Sequence, residues 1–564
     1  MLSALTRKIK QFLNDAVLRQ WLLGRIVGRW PGEPTYRARC PDYISEDQRS
    51  AITPTIGKDL AITKGRPLPP PSTPINLVLP GATLTLKPDD ISGFIGSQFA
   101  DTETLLGLHR FSWLPLQGSD VDAGWVQALW QAWCDQFSSP SADWPWHPYT
   151  AAERGANILR YAQGHGLPGD HEQTLNVLAA HLPVIAKSLE FFGNHHTSNH
   201  LANNGRGLYL IGLALGNDAA ITMGARILVE EAKRIFDLSG MLLEESSHYH
   251  LLLTRNYTEC WLAARSHDRP EQDALKEIAG RALACVELFN LPGGLPLIGD
   301  VSPDCPPDHL TGLLASSNPA HGWTALLNNE NFAALKSLQK NNKTVPSQGW
   351  HRHNSGPWTA LWHTSPSGWR FMPGHGHQDL GSFVLHHEDE IVFHDPGRRS
   401  YGPDGDNDCR AGAHNTLTIG DTDPSPPNRP YYSDQFRQVV IPTPPTFNTD
   451  PQSVTLNYRT VDNLEIQRSW SFSSHSMTLD DALNGATNKP IVRHLHTALP
   501  TGMKDNCALI KGQNADYRVI SNDPIVVRPH TYWPAYGVAG SGFVIDIRAP
   551  GQKNWSGSFT IEIV

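Results

Sequence analysis

The chain has 564 residues, 39% of them hydrophobic and 18% charged, with a formal net charge of −9. That length exceeds what one hydrophobic core supports, so at least two domains are expected, and the composition excludes collagen-like, coiled-coil and disordered chains. The acidic balance argues against nucleic acid as a partner, because that requires a basic field; it leaves room for an acidic ligand held by a local cluster of Arg, His and Asn.

The N-terminal stretch carries Arg7, Lys8 and Lys10, followed by Asp15 and Arg19 instead of an apolar run. No clear signal peptide is read, which by sequence alone points to the cytoplasm. Residues 4–29 fit a basic amphipathic helix lying on a membrane or on another domain, or an ordinary surface helix. No apolar run reaches the ~18 residues of a transmembrane span. Residues 31–84 are rich in Pro and Thr, and Pro67-Leu-Pro-Pro-Pro-Ser-Thr-Pro74 marks an extended linker. Residues 1–84 are therefore read as an N-terminal extension.

From 85 to 345 the pattern is helical. Leu175, Leu178, Leu182, Ile185, Leu189 and Phe192 recur at steps of three and four, as do Ile221, Ala225, Leu228, Ala232 and Ile235. Helices of this kind bury their inner faces in a bundle or toroid. From 346 to 564 short segments such as Ser382–Leu385, Glu390–Phe393, Thr416–Ile419, Val454–Asn457, Leu464–Gln467, Phe543–Ile547 and Phe559–Val564 are separated by Gly, Pro, Asn and Asp. This predicts an antiparallel sheet domain, a sandwich. The expected fold class is α+β multidomain. The seven cysteines are scattered and odd in number, with no C-x-x-C, which argues against a disulfide framework or a cysteine-based zinc site. Most of the 17 tryptophans are expected in the core, though such rings also stack on sugars.

Four stretches concentrate reactive side chains. They are Trp144-Pro-Trp-His-Pro-Tyr-Thr-Ala-Ala-Glu-Arg154, Asn194-His-His-Thr-Ser-Asn-His-Leu-Ala-Asn-Asn204, Glu244-Glu-Ser-Ser-His-Tyr-His250, and Gly374-His-Gly-His-Gln-Asp379 with His394-Asp-Pro-Gly397 and Ala413-His-Asn-Thr416. His375 and His377 share a face if the segment is extended. In order, and with a helical-to-β switch before the Gly-His-Gly-His stretch, these pieces resemble the heparinase II/III-like polysaccharide lyases over most of residues 100–420. The resemblance implies an (α/α) toroid followed by a β-sandwich, and β-elimination on a uronic-acid-containing acidic polysaccharide.

That chemistry needs a group to neutralise the uronate carboxylate, a base for the neighbouring proton and an acid for the leaving oxygen. By resemblance Asn199 neutralises the carboxylate, His200 neighbours it in the cleft, Tyr249 is base, acid or both, and His375 is a second acid/base. A tyrosine serves both steps if imidazole or cationic neighbours lower its pKa. Arg154, Tyr149, Asn203 and His250 are expected to line the substrate cleft, Arg154 as an anion contact. Structural alternatives stand beside these: Asn199 as a helix cap, Arg154 paired with Glu153 or Asp143, one of His248 and His250 structural, and His195 and His196 as loop residues. For a metal, the resemblance selects His377, Asp395 and His414, a set suited to a structural zinc ion; a metal-free polar cluster is the alternative, and His394 is a rival ligand. No organic cofactor is implied. Asp300 is expected at the cleft floor. A glycoside hydrolase using carboxylates among Glu244, Glu245 and Asp300, and a non-catalytic binding or assembly protein of a bacterial exopolysaccharide pathway, are the competing functions. The family resemblance also allows a periplasmic or exported location.

Overall fold

The computed structural model describes residues 12–13, 15–30, 40–58, 60, 62–193, 197–317, 319–341, 347, 349–365, 374–420, 422–426, 432–441 and 443–564. Arg7, Lys8, Lys10, His195, His196 and Pro373 lie outside the described residues, as does part of the predicted N-terminal extension. Helices Pro148–His165 and His171–Lys187, His200–Leu215 and Asp218–Ile235, and Ser247–Ser266 and Gln272–Val286 pack in successive pairs, with Thr102–Arg110 against Pro148–His165 and Ala123–Phe137 against His171–Lys187, forming the α/α toroid. Leu175, Leu178, Leu182 and Ile185 are buried as their spacing predicts, as are Ile221, Leu228, Ala232 and Ile235. Trp113, Trp125, Trp130, Trp133 and Trp146 are fully buried, so these rings are core.

One element departs from the expected extension. Ile75–Leu79 and Ala82–Leu86 form an antiparallel hairpin whose Leu77, Leu79 and Leu86 join the helical core. Its alternation, Leu77/Leu79 in and Asn76/Val78 out, is short and follows directly on the Pro-rich stretch, which is why it read as linker.

Among the described residues the β half holds three antiparallel sheets. The largest has eight strands in the order Thr501–Lys504, Cys507–Lys511, Asp516–Ser521, Ser556–Ile563, Ser476–Asn484, Glu465–Phe472, Ser453–Arg459 and Thr446–Asp450. Two four-stranded sheets complete it. One runs Ile525–Ala535, Val538–Ala549, Ile491–Thr497, Leu417–Ile419; the other Trp350–Ser355, Trp358–His363, Phe383–His387, Glu390–Phe393. Glu465–Phe472 and Ser476–Asn484 alternate buried with exposed along their length, so one face of the large sheet is core. Trp358–His363 and Phe383–His387 are buried throughout. All three sheets feed one apolar core, which is the sandwich predicted.

Candidate active site

The site forms where the helical half meets the start of the β half, and backbone hydrogen bonds hold its pieces in place. His375 N donates to Glu244 O (3.1 Å) and Asp300 N donates to His375 O (2.8 Å). Ser246 caps the helix Ser247–Ser266: its Oγ accepts from Tyr249 N at 3.1 Å and donates to Asp300 O at 2.7 Å. Gly299 sits at φ +78, and a Cβ there would lie 2.6 Å from Glu245 O and 2.8 Å from His375 O, so only glycine lets these three segments approach.

Asp300 is the hub. Its Oδ2 meets His375 Nδ1 at 3.0 Å, its Oδ1 meets His377 Nε2 at 2.8 Å, and Arg398 Nη1 donates to both oxygens at 3.1 and 3.2 Å. Burial opposes the carboxylate charge, but the two imidazole hydrogen bonds and the Arg398 guanidinium hold its pKa far below the usual range. With Nδ1 committed to Asp300, the Nε2 of His375 points at Asn199 Nδ2 (3.4 Å) and Glu244 Oε2 (3.5 Å). Asn199 Nδ2 in turn donates to Glu244 Oε2 at 2.8 Å. Asn199 does occupy the N-cap position of the helix His200–Leu215, yet its side chain makes no capping bond. The amide is spent on the site, and the capping alternative falls.

Tyr249 stacks on the His375 ring with centroids 3.5 Å apart and planes 7° from parallel. Its hydroxyl pairs with Tyr401 Oη at 2.6 Å, and the Arg398 guanidinium sits 5.0 Å from the Tyr401 ring. Burial pushes the Tyr249 phenol well above its ordinary pKa, and Asp304 adds to the rise. Burial thus works against the condition under which this tyrosine would serve as a base, a pKa lowered by imidazole or cationic neighbours.

The second imidazole of the motif turns to a different cluster. Ligand atoms of His377, Asp395 and His414 lie within 4.8 Å of one another, as do those of Asp300, His377 and Cys409. In the first set His414 Nδ1 meets Asp395 Oδ2 at 2.8 Å, and Asp395 Oδ1 accepts from Gly397 N at 3.0 Å. His377 Nδ1 and His414 Nε2 are buried without a hydrogen-bond partner. Each such atom costs about 1–3 kcal/mol if left bare. Two bare imidazole nitrogens in one cluster with the Asp395 carboxylate, the His377 ring braced from behind by Asp300, are a donor set that fits a bound divalent cation. Asn415 sets the geometry: Nδ2 donates to Phe383 O (2.7 Å) and His394 O (2.9 Å), and Oδ1 accepts from His496 N (2.6 Å). His394 itself turns away and packs on Tyr532, ring centroids 4.6 Å apart.

The other predicted residues divide. His200 lies at the solvent edge, its side chain 43% exposed, with Nδ1 2.7 Å from Glu190 Oε1. Burial works against its charge, but Glu190 outweighs that and raises its pKa. Tyr149 packs its ring 4.7 Å from His200, while its hydroxyl is taken by Asp304 (2.7 Å). Asn203 is buried with Oδ1 accepting from Arg206 Nη1 at 3.2 Å. Arg154 is not a cleft residue. It is fully buried, donating to His181 Nε2, His109 O and Pro145 O, with its guanidinium 4.0 Å from the Trp133 ring and 5.3 Å from Trp146. Burial lowers its pKa to about 9. His250 is also structural: Nδ1 accepts from Leu242 N, Nε2 meets Ala282 O, and burial lowers its pKa to about 4. His248 is spent on Ser302 N, so both histidines flanking Tyr249 belong to the helix packing. Tyr401 and Arg398 were not singled out by sequence; the only signal was that Arg398 directly follows His394-Asp-Pro-Gly397.

Residues 338–552 match the family model described as heparinase II/III-like, C-terminal. The β half is a heparinase II/III-like C-terminal domain. No curated protein sequence matches the chain. Among solved structures, heparinase III superposes with a TM-score of 0.58 at 16% identity, covering 83% of this chain and 78% of that one. The heparinase III BT4657 gene product gives 0.54 at 13% identity, over 98% and 92%. A mutant of the heparan sulfate lyase HepC from Pedobacter heparinus gives 0.51 at 14% identity, over 83% and 78%. The heparinase II/III-like domain thus sits on the same toroid-plus-sandwich architecture as these enzymes.

Proposed function

We propose that the protein is a polysaccharide lyase that cleaves a uronic-acid-containing acidic polysaccharide by β-elimination. The observation that carries this reading is the convergence of the Asn199 amide, the His375 imidazole and the Tyr249 phenol at the junction of the two halves. One N–H of the Asn199 amide is held by Glu244; the other, in a long 3.4 Å contact with His375 Nε2, is the one an incoming carboxylate would take over. As charge spreads onto that carboxylate in the enolate-like transition state, the amide hydrogen bond strengthens.

The proton next to the carboxylate passes to His375 Nε2, whose partner nitrogen is fixed by Asp300. The C4–oxygen bond breaks, the new carbon–carbon double bond forms, and the leaving oxygen takes the Tyr249 proton. The raised phenol pKa suits Tyr249 to that acid role, and Tyr401 supplies the next hydroxyl in line. Solvent exchange restores both groups. Glu244 and Asp300, the carboxylates a hydrolase would need, are buried and committed to Asn199, His375, His377 and Arg398, which favours elimination over hydrolysis.

His377, Asp395 and His414 would hold a structural zinc ion. Bound there, the ion supplies a cross-link between the segment after His375 and the neighbouring strands. Incubation with a panel of uronate polysaccharides tests the reading: a lyase generates ultraviolet absorbance from the unsaturated uronate, and sugar ends released without it refute the proposal.

A further inference from the structure

The helix Ala16–Ile26 has two apolar faces, and the protein uses only one. Val17 and Trp21 pack, with Trp30, into a small core against Tyr432, Phe436 and Ile441. Trp21 and Trp30 stack at 6.5 Å, and Phe436 sits 5.1 Å from Trp21 and 5.2 Å from Trp30. A Cβ at Gly24 would fall 1.9 Å from Trp30 Nε1, so the glycine lets Trp30 fold back on the helix and lock it down. The helix is thereby fixed to the β half with its outward side presented.

That outward side is Leu22, Leu23, Ile26 and Val27, spaced i, i+1, i+4, i+5 and therefore one stripe. Their exposures are 38, 59, 81 and 76%. Phe12 and Leu13, just before the helix begins, are exposed too, and so is Val439 on the helix that receives Trp21. Surface helices normally turn polar residues outward; a second apolar stripe on an anchored helix marks a surface that something covers.

Charge selects the occupant. Residues 1–30 hold six basic residues (Arg7, Lys8, Lys10, Arg19, Arg25, Arg29) and one acidic residue, Asp15, in a chain whose net charge is −9. Arg19, one turn before Leu22 and Leu23, donates to the carbonyls of Phe12 and Leu13, while the exposed Arg29 follows Val27 and Gly28. A second copy of this acidic chain is a poor match for such a segment, whereas an anionic bilayer surface matches both its charge and its apolar stripe. No helix among the described residues is long and apolar enough to cross a membrane, so the contact is interfacial.

We propose that this stripe seats the protein on an anionic lipid surface, Leu22, Leu23, Ile26 and Val27 entering the headgroup boundary and the exposed Arg29 facing lipid phosphates. Co-sedimentation of the full chain with phosphatidylglycerol/phosphatidylcholine vesicles, against phosphatidylcholine alone, tests it. The expected result is binding to the anionic vesicles, weakened by salt and reduced at least about tenfold in Leu23→Glu/Ile26→Glu, given the loss of two inserted side chains. Arg29→Gln, at an exposed side chain, is expected to weaken binding about fivefold, the ratio that about 1 kcal/mol per charge implies. Thermal melting confirms that each variant is folded. Absence of binding, equal binding by the wild type and the double variant, or a wild-type dimer that the double variant dissolves would each overturn the proposal, the last by assigning the stripe to a second copy.

Discussion

Asp300→Asn probes the hub of the site. The substitution keeps the shape and removes the charge, so Arg398 loses its buried acid and two imidazoles lose a carboxylate. Breaking a buried ion pair by removing one partner costs about 3–5 kcal/mol. The Arg398 side chain is 16% exposed and can recruit some water, which places the expected loss near 3 kcal/mol. In a domain of this size that lowers Tm by about 5 °C. Turnover should fall further, by about 10²–10⁴-fold, because His375 loses the group that fixes its tautomer. The pH dependence carries a sign. The folded pKa of Asp300 is depressed, so its stabilisation is fully present above about pH 4 and disappears as acid drives the group through its folded value. Differential scanning fluorimetry from pH 7 to pH 3 should show wild type losing its advantage over D300N below about pH 4. Equal melting temperatures and equal turnover at neutral pH would refute the role of Asp300.

Tyr249→Phe should leave melting unchanged within about 1 kcal/mol and lower the rate of unsaturated-product formation by about 10²–10⁴-fold, measured by ultraviolet absorbance; retained activity would return the acid role to another group. His377→Ala should lose bound zinc by elemental analysis together with thermal stability, while His375→Ala should lose turnover with the metal retained. Arg154→Met should cost about 1–3 kcal/mol in denaturant melts, through the carbonyls of His109 and Pro145 left unpaired, with KM unchanged in any variant that folds.

Much of this was legible in the sequence, for local reasons. Period-3.6 and period-2 patterns located the helical half and the sheets, because burial of one face is written into the order of side chains. His375 and His377 both reach Asp300, but not as neighbours on an extended strand: residues 374 and 375 are bends and the strand begins only at Phe383. What the sequence hid depends on long-range approach. Asp300 lies 75 residues from His375 and 98 from Arg398, and Tyr249 lies 152 from Tyr401. Arg154 misled for a related reason: it is one arginine among cleft-like aromatics, and only packing shows that Trp133 and Trp146 enclose it.

The central claim is elimination without water. Digestion of a susceptible uronate polysaccharide in heavy-oxygen water, followed by mass spectrometry of the oligosaccharides, tests it most directly. The account predicts products lighter by one water than hydrolytic fragments, with no solvent oxygen incorporated on cleavage. Fragments carrying one solvent oxygen per cleaved bond would contradict it.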